Sequence, residues 1–334
     1  MGPPATAALS EERPGAAADG RAARVLIVDP LHAEAIAALR ERHEVEVRLG
    51  PSAAELAELI GDVDVLVLRS GVRVPAELIE RAPRLRLIAR AGVGVDNIDV
   101  AAARRAGIHV FNVPAQSAGS VAELAFGLLL AVARRIPLAA AGVRRDEWRK
   151  AELVGQELAG GTLGIVGLGA IGSLIARRAL AFEMRVVAAV AAPSEERRRI
   201  LAAEGVELLG LDAVLARADA LCVVVPLTGR TRNLIDARAL ARLRPGAFLV
   251  NVSRGGVVDE DALRAALRDG HLAGAALDVV VTEGRPTPLA ALDNVVVTPH
   301  IGAMTEGAQR RIGEIVVASI ELDLAGGRVA TRVC

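Results

Sequence analysis

"GTLGIVGLGAIGSLIARRAL", Gly161 to Leu180, sets three glycines at G-x-G-x-x-G spacing directly after an apolar run and directly before a helical one. In such a strand–turn–helix, Gly167 permits the tight turn and Gly169 lets the backbone approach a pyrophosphate. Gly172 lets helix and strand pack closely, and the helix N-terminus brings its positive dipole end to the phosphates. The spacing alone is common, but here it has its full context. It predicts the first βα unit of a dinucleotide-binding domain.

On either side of this stretch, short β-branched runs alternate with amphipathic helices. Upstream, "RVLIVD", "EVEVRL", "DVLVLRS", "RLRLIARAG" and "IHVFNVP" read as strands, with helical stretches such as "AEAIAALRER" and "AAELAELIGD" between them. From Thr162 a second series follows: "TLGIVG", "RVVAAVAA", "ADALCVVVP", "GAFLVNVS", "LAGAALDVV" and "NVVVTP". Repeated βα units imply parallel sheets covered by helices on both faces. Between the series lies "SVAELAFGLLLAVARRIP", Ser120 to Pro137, read as one long helix capped by Ser120 with Glu123 completing a capping box. It is apolar on nearly every face, so it serves either as a central core helix or as a subunit interface. A last helix, Thr305 to about Gly326, follows both series and is free to return to the first sheet, giving a discontinuous outer domain around a central one.

With 334 residues the chain is long enough for two domains. Its 40 basic and 40 acidic residues balance, which argues against nucleic acid or an anionic membrane as a partner. Aromatic residues make up 1 %, so base-stacking platforms are nearly absent and the core is aliphatic. Two cysteines, Cys222 and Cys334, form neither a disulfide framework nor a metal-ligand spacing, so no metal is expected. Residues 1–23 lack an apolar signal region and read as a disordered tail. The run Leu124 to Ala133 is too short to span a bilayer. These features predict a soluble, cytoplasmic protein.

Three chemically coherent residues stand at strand ends in the second series. Arg254 follows "FLVNVS", Glu283 follows "AALDVV" by a few residues, and His300 follows "NVVVTP". Ligands of a doubly wound sheet sit beyond the carboxyl ends of its strands, so the three could converge on one crevice. An arginine fork clamps a carboxylate and polarises a keto oxygen. A histidine passes a proton to a nascent alkoxide, and a neighbouring glutamate orients it. Taken singly, each has a bland reading as a solvated charge or a turn residue.

Together with "RAGVGVDNIDVAAARRAGIHVFNVP" (Arg90 to Pro114), "VPLTGRTRNLID" (Val225 to Asp236), "NVSRGGVVDEDAL" and "TPHIGA", these motifs resemble the D-specific 2-hydroxyacid dehydrogenase family. They stand in family order and cover essentially Arg24 to Gly326. The stretch from Leu66 to Asp99 is most similar to the D-3-phosphoglycerate dehydrogenase branch. The resemblance implies an α/β chain of two Rossmann-like domains with parallel doubly wound sheets, flavodoxin-like outside and dinucleotide-binding inside. The outer, substrate domain would comprise 24–118 plus 300–334, and the inner one 119–299, with the active site in the cleft and a homodimer formed through helix 120–137. Arg254 would bind substrate, Glu283 would orient His300, and His300 would be the acid/base. NAD would be held by Gly167, Gly169, Ala170, Ile171, Gly172, the position of Val190, Val225, Pro226, Thr231, Val252, Ser253, Asp278 and Gly302. Arg69, Ser70 and Arg73 would take a substrate phosphate, and the amides of Ala91 to Gly94, including Gly92 and Val93, its carboxylate.

The sequence departs from that pattern in four places. The acid that holds the adenosine ribose, due about 20 residues past the glycines, is replaced by Val190 in "RVVAAVAAPSEERRR", Arg185 to Arg199. Its loss weakens NAD binding by about 1.5–3 kcal/mol and lifts the repulsion against a 2′-phosphate, so NADP is also admissible. Ser194 and Arg197 to Arg199 are nearby replacement donors, or simply a solvated helix face. Ser117 and Ala118 replace the usual Asn-Thr or Asn-Ser pair, and Val280 and Gly284 replace an aromatic and a proline around Glu283. The chain also ends soon after His300, so the C-terminal regulatory domain of long phosphoglycerate dehydrogenases is expected to be missing. The leading expectation is oxidation of 3-phospho-D-glycerate to 3-phosphohydroxypyruvate, as in serine biosynthesis. A reductase of hydroxypyruvate, glyoxylate or a phosphonate analogue, and a catalytically weak NAD-binding regulator, remain as alternatives.

Overall fold

β-branched and leucine-rich runs become strands, and the alanine-rich stretches between them become the helices that cover both sheet faces. The computed structural model of the chain describes residues 22–334, so the tail expected over residues 1–23 lies, but for its last two residues, outside the described residues. The chain divides into two units, Met1–Ser117 with Thr305–Cys334, and Ala118–Met304.

In the first unit β1 (Arg24–Ile27), β2 (Glu44–Val47), β3 (Val65–Leu68), β4 (Leu87–Arg90) and β5 (His109–Asn112) form one parallel sheet in the order β2-β1-β3-β4-β5. The helices α1 (Ala33–Arg40), α2 (Ala53–Leu59), α3 (Ala76–Glu80) and α4 (Val100–Arg105) connect the strands.

The second unit opens with α5 (Ala118–Ala133) and α6 (Ile136–Val143), bent by 64° against each other. Its strands are β6 (Thr162–Val166), β7 (Arg185–Ala189), β8 (Val206–Leu208), β9 (Ala220–Val223), β10 (Ala247–Asn251), β11 (Leu272–Leu277) and β12 (Val295–Val297). They form a parallel sheet in the order β12-β11-β10-β9-β6-β7-β8. Helices α7 (Ala170–Ala181), α8 (Glu195–Ala203), α9 (Leu211–Arg217), α10 (Ala237–Arg242) and α11 (Glu260–Arg268) complete it. Finally α12 (Glu306–Leu324) rejoins the first unit, where Ile312, Val316 and Ile320 are fully buried against Ile27, Val67 and Ala89. Each such side chain contributes about 1.5–3 kcal/mol, so one face of the first sheet depends on residues from the far end of the chain.

Two readings of the long apolar helix change. It starts at Ala118, so Ser120 is not its cap but a buried residue of its first turn, and Glu123 pairs instead with Arg178 of α7 at 3.2 Å. It also stops at Ala133, because Arg135 turns left-handed with φ +53°. Its apolar faces are covered within its own unit by α7, β10 and β11. Among the described residues no single helix is long and apolar enough to cross a membrane. The return to the first unit falls at Thr305, not at His300, because the backbone around His300 is bonded to Asp278 at the end of β11.

Candidate active site

The glycine turn is built by close approach of backbone to backbone. Gly167 has φ +98°, and a Cβ there would stand 2.7 Å from the carbonyl oxygen of Val224 beyond β9. A Cβ on Gly172 would stand 2.2 Å from the carbonyl oxygen of Gly167, so only glycine lets α7 begin so near the strand. Gly169 is different: a Cβ there meets nothing within 4 Å. It precedes α7 with no side-chain cap, so the amides of Ala170 and Ile171 open onto bare space at a positive helix end. That cradle fits a pyrophosphate. Across the turn, Thr231 Oγ1 donates to the carbonyl of Pro226 at 2.5 Å and closes the loop that begins at Val225. Val190, half-buried just past β7, packs into the aliphatic core where the ribose acid was due. One arginine of the following run answers it: Nη2 of Arg197 donates to the carbonyl of Leu168, inside the glycine turn.

Since β6, β9, β10, β11 and β12 are parallel neighbours, their carboxyl ends share one sheet edge. Beyond β10, buried Asn251 shapes the loop: its Oδ1 accepts from the amide and hydroxyl of Ser253 at 3.0 and 2.6 Å, and its Nδ2 donates to the carbonyl of Arg254 at 3.1 Å. Val252 is buried beside it, and Arg254 Nη1 donates to the carbonyl of Ser253 at 2.8 Å. A Cβ on Gly255 would stand 2.1 Å from the carbonyl oxygen of Val280, so this loop lies against the loop that leads to Glu283. That second loop is pinned by Glu260, which accepts from the amide of Val281 at 2.6 Å and whose carboxyl burial holds above the usual range. Gly284 takes φ +76°, a conformation closed to the proline usual there.

His300 itself is left-handed, with φ +55°, at a cost of about 1 kcal/mol or more for a residue with a side chain. Asp278 holds it there. Its carbonyl accepts from the His300 amide at 2.9 Å, and its buried carboxylate accepts from Thr298 Oγ1, Ile301 N and Gly302 N at 2.6, 2.8 and 2.8 Å. Both Asp278 and Gly302, expected at the cofactor, are thus also partners of each other. The imidazole Nδ1 lies 2.9 Å from Glu283 Oε1. A carboxylate only accepts, so Nδ1 carries the hydrogen and Nε2 is left for proton exchange. The site can therefore orient a histidine and pass a proton through it.

In the first unit the expected anion loop is held from beneath. Asp29 accepts from the amide of Arg69 at 2.6 Å, and Asn97 Nδ2 donates to the carbonyls of Arg69 and Val72 at 2.7 and 2.6 Å. Burial raises the Asp29 carboxyl above its ordinary value and lowers the Arg69 guanidinium, whose Nη1 donates to Gln309 Oε1 at 2.8 Å. Ser70 and Arg73 are exposed. The expected amide nest narrows: Ala91 and Gly92 donate to the carbonyls of Leu68 and Arg90, which leaves Val93 and Gly94. A Cβ on Gly92 would stand 1.8 Å from Arg90 Nη1. Arg90, 5 % exposed beneath this loop, together with Asp29, Asn97, Gln309, Asn251 and Glu260, was not picked out by sequence. Only the strand-end places of Asp29, Arg90 and Asn251 could have signalled them.

Residues 126–302 match the model of the D-isomer specific 2-hydroxyacid dehydrogenase, NAD binding domain. The chain is 47 % identical over 305 residues to a D-3-phosphoglycerate dehydrogenase of Methanocaldococcus jannaschii, covering 91 % of this chain but 58 % of that relative. It is 44 % identical over 307 residues to a hydroxypyruvate reductase of Thermotoga maritima, covering 90 % of this chain and 98 % of the relative. Among solved structures, the NADPH-dependent glyoxylate/hydroxypyruvate reductase of Sinorhizobium meliloti, solved with NADP and malonate, is similar with a TM-score of 0.83. That similarity is at 31 % identity over 94 % of this chain and 97 % of the other.

Proposed function

Because the chain belongs to the D-isomer specific 2-hydroxyacid dehydrogenase family, we propose that it interconverts an anionic D-2-hydroxy acid and its 2-keto acid. The favoured pair is 3-phospho-D-glycerate and 3-phosphohydroxypyruvate. The observation that carries this reading is the His300–Glu283 hydrogen bond, at the same sheet edge as the glycine cradle. The turn Gly167–Gly172 would hold a nicotinamide dinucleotide, which would supply hydride-transfer chemistry at C2 of the acid in either direction. His300 Nε2 gives its proton to the oxygen as the carbonyl becomes an alkoxide, and recovers it in oxidation. Glu283 keeps the imidazole in the tautomer and orientation this transfer needs. Arg254 holds the carboxylate and polarises the keto oxygen. Within the first unit, this reading assigns anion recognition to one loop region, with the Val93 and Gly94 amides suited to a carboxylate and Arg69, Ser70 and Arg73 to a phosphate. The chain also works as a homodimer in this reading. Ile136, Val143, Trp148 and Val154 are apolar and 52, 52, 84 and 76 % exposed, around α6 rather than on α5.

A second substrate, unphosphorylated hydroxypyruvate, is favoured by one feature. The Arg69 guanidinium is engaged by Gln309, which leaves the exposed Arg73 as the freer cation for a phosphate. The test is turnover of 3-phosphohydroxypyruvate, hydroxypyruvate and glyoxylate by the purified protein, with NADH and NADPH. A kcat/KM at least about tenfold higher for the phosphorylated acid is expected, as one charge-assisted hydrogen bond provides. The reverse order establishes the second substrate. No turnover of any of the three would contradict the dehydrogenase reading.

A further inference from the structure

We infer that the ribose end of the dinucleotide site is a 2′-phosphate subsite built around Arg197, so that the chain binds NADP(H) in preference to NAD(H). This rests on the dehydrogenase reading only in taking Gly167–Gly172 as the pyrophosphate cradle.

Three observations converge. In a dinucleotide fold the adenosine ribose lies beside the glycine turn at the end of the second strand, where an acid accepts the ribose hydroxyls or an arginine accommodates the 2′-phosphate. Here that strand, β7, ends in Val190, an aliphatic side chain packed into the core, so no carboxylate repels a dianion. Second, Arg197 does not project at random. It lies in the first turn of α8, and its Nη2 donates to the carbonyl of Leu168, the residue between Gly167 and Gly169. That bond uses one of five guanidinium donors and fixes the planar fork at the rim of the turn, with donors left over for phosphate oxygens. Third, the next arginine of the run is engaged elsewhere. Successive helical residues point about 100° apart. Arg198 accordingly turns away, donating to the carbonyl of Leu208 at 2.9 Å and pairing with Glu195 at 3.4 Å. Ser194 Oγ caps α8 by accepting from the amide of Arg197 at 3.2 Å, which leaves its hydroxyl proton to donate. The acidic neighbours do not occupy the position of Val190: the Glu195 side chain is 93 % exposed and faces Arg198, and Glu196 is exposed.

The test uses two adenosine fragments on the full chain, 5′-AMP and 2′,5′-ADP, titrated by calorimetry, so that no catalysis is involved. For the wild type, 2′,5′-ADP is expected to bind about tenfold tighter than 5′-AMP or better, as for one or two hydrogen bonds to a charged group. Arg197→Ala should bring that ratio down to about twofold or less while leaving 5′-AMP nearly unchanged, and Arg197→Lys should keep part of it. Val190→Asp should reverse the preference by restoring a carboxylate beside the ribose. Equal wild-type affinities overturn the subsite and leave the dinucleotide cradle standing. So does an Arg197→Ala loss that is equal for both fragments, since it would show that the arginine only braces the turn. Binding of neither fragment overturns the cradle reading together with the subsite.

Discussion

The two units share an architecture and differ in what they place at the ends of their strands. Each is a parallel sheet with helices on both faces. In the second unit the first strand runs into a turn made of bare backbone, where glycines at 167 and 172 let the turn close and α7 begin against the strand, and Gly169 leaves open space before the helix end. In the first unit the strands end in buried or half-buried charge: buried Asp29 beyond β1, half-buried Arg69 beyond β3 and buried Arg90 at the end of β4. At its glycine turn the second unit presents fixed dipoles, which need no proton and hardly rearrange, on the same sheet edge as Arg254, Glu283 and His300. The other presents side chains whose charge depends on their neighbours. Generic recognition of a dinucleotide suits the first device, and selection among small anions suits the second.

The largest effect that can break this contrast lies in the second unit. His300→Asn should lower kcat about a hundred- to ten-thousand-fold, as loss of a general acid–base does, with 5′-AMP affinity unchanged. A comparable fall in kcat from any single change in the loop 69–73 would blur the division of labour. Glycine substitutions sharpen it next. Gly167→Ala places a Cβ against a backbone carbonyl at positive φ, and urea unfolding should show a loss of about 1–3 kcal/mol. Gly92→Ala meets only the movable end of Arg90, so its cost in the same assay should be about 1 kcal/mol or less, with keto-acid affinity lost instead.

Asp29 gives a smaller, pH-dependent effect. Burial raises its carboxyl above the ordinary value, against the pull of Arg69 and Arg90. A carboxyl raised in this way contributes stability that is fully present below the ordinary value and fades as pH rises through the raised one. Stability relative to Asp29→Asn should therefore decline with rising pH across that acidic window; parallel pH curves for the two proteins would refute the buried-charge description. The smallest effect is a thiol count. Burial pushes the Cys222 thiol up to about 12, whereas Cys334 in the first unit is partly exposed. Native protein near neutral pH should show one reactive thiol and unfolded protein two.

The parts of this arrangement that were legible in the sequence are those fixed by residue type and local order. Gly167, Gly169 and Gly172 announce a backbone requirement in themselves, and Arg254, Glu283 and His300 follow strands whose ends a parallel sheet must gather. What stayed hidden depends on partners distant in sequence. Arg69 meets Gln309 across 240 residues, and nothing local marks either for the other. The Ser120 capping box does not form although its local pattern is present, because α5 starts at Ala118 and Ser120 is a buried residue of its first turn. Arg197 shows both sides. Its run was visible, but only packing singles out which of three arginines turns toward the glycine turn.

The central division is tested most directly by steady-state kinetics of Arg69→Ala against wild type on 3-phosphohydroxypyruvate and on hydroxypyruvate. The account predicts a KM for the phosphorylated acid raised about ten- to a hundredfold, the worth of charge-assisted hydrogen bonds to one guanidinium, with kcat on hydroxypyruvate preserved. Equal losses on both acids, or a loss in kcat alone, would contradict it and place Arg69 in the support of the fold rather than in the recognition of the anion.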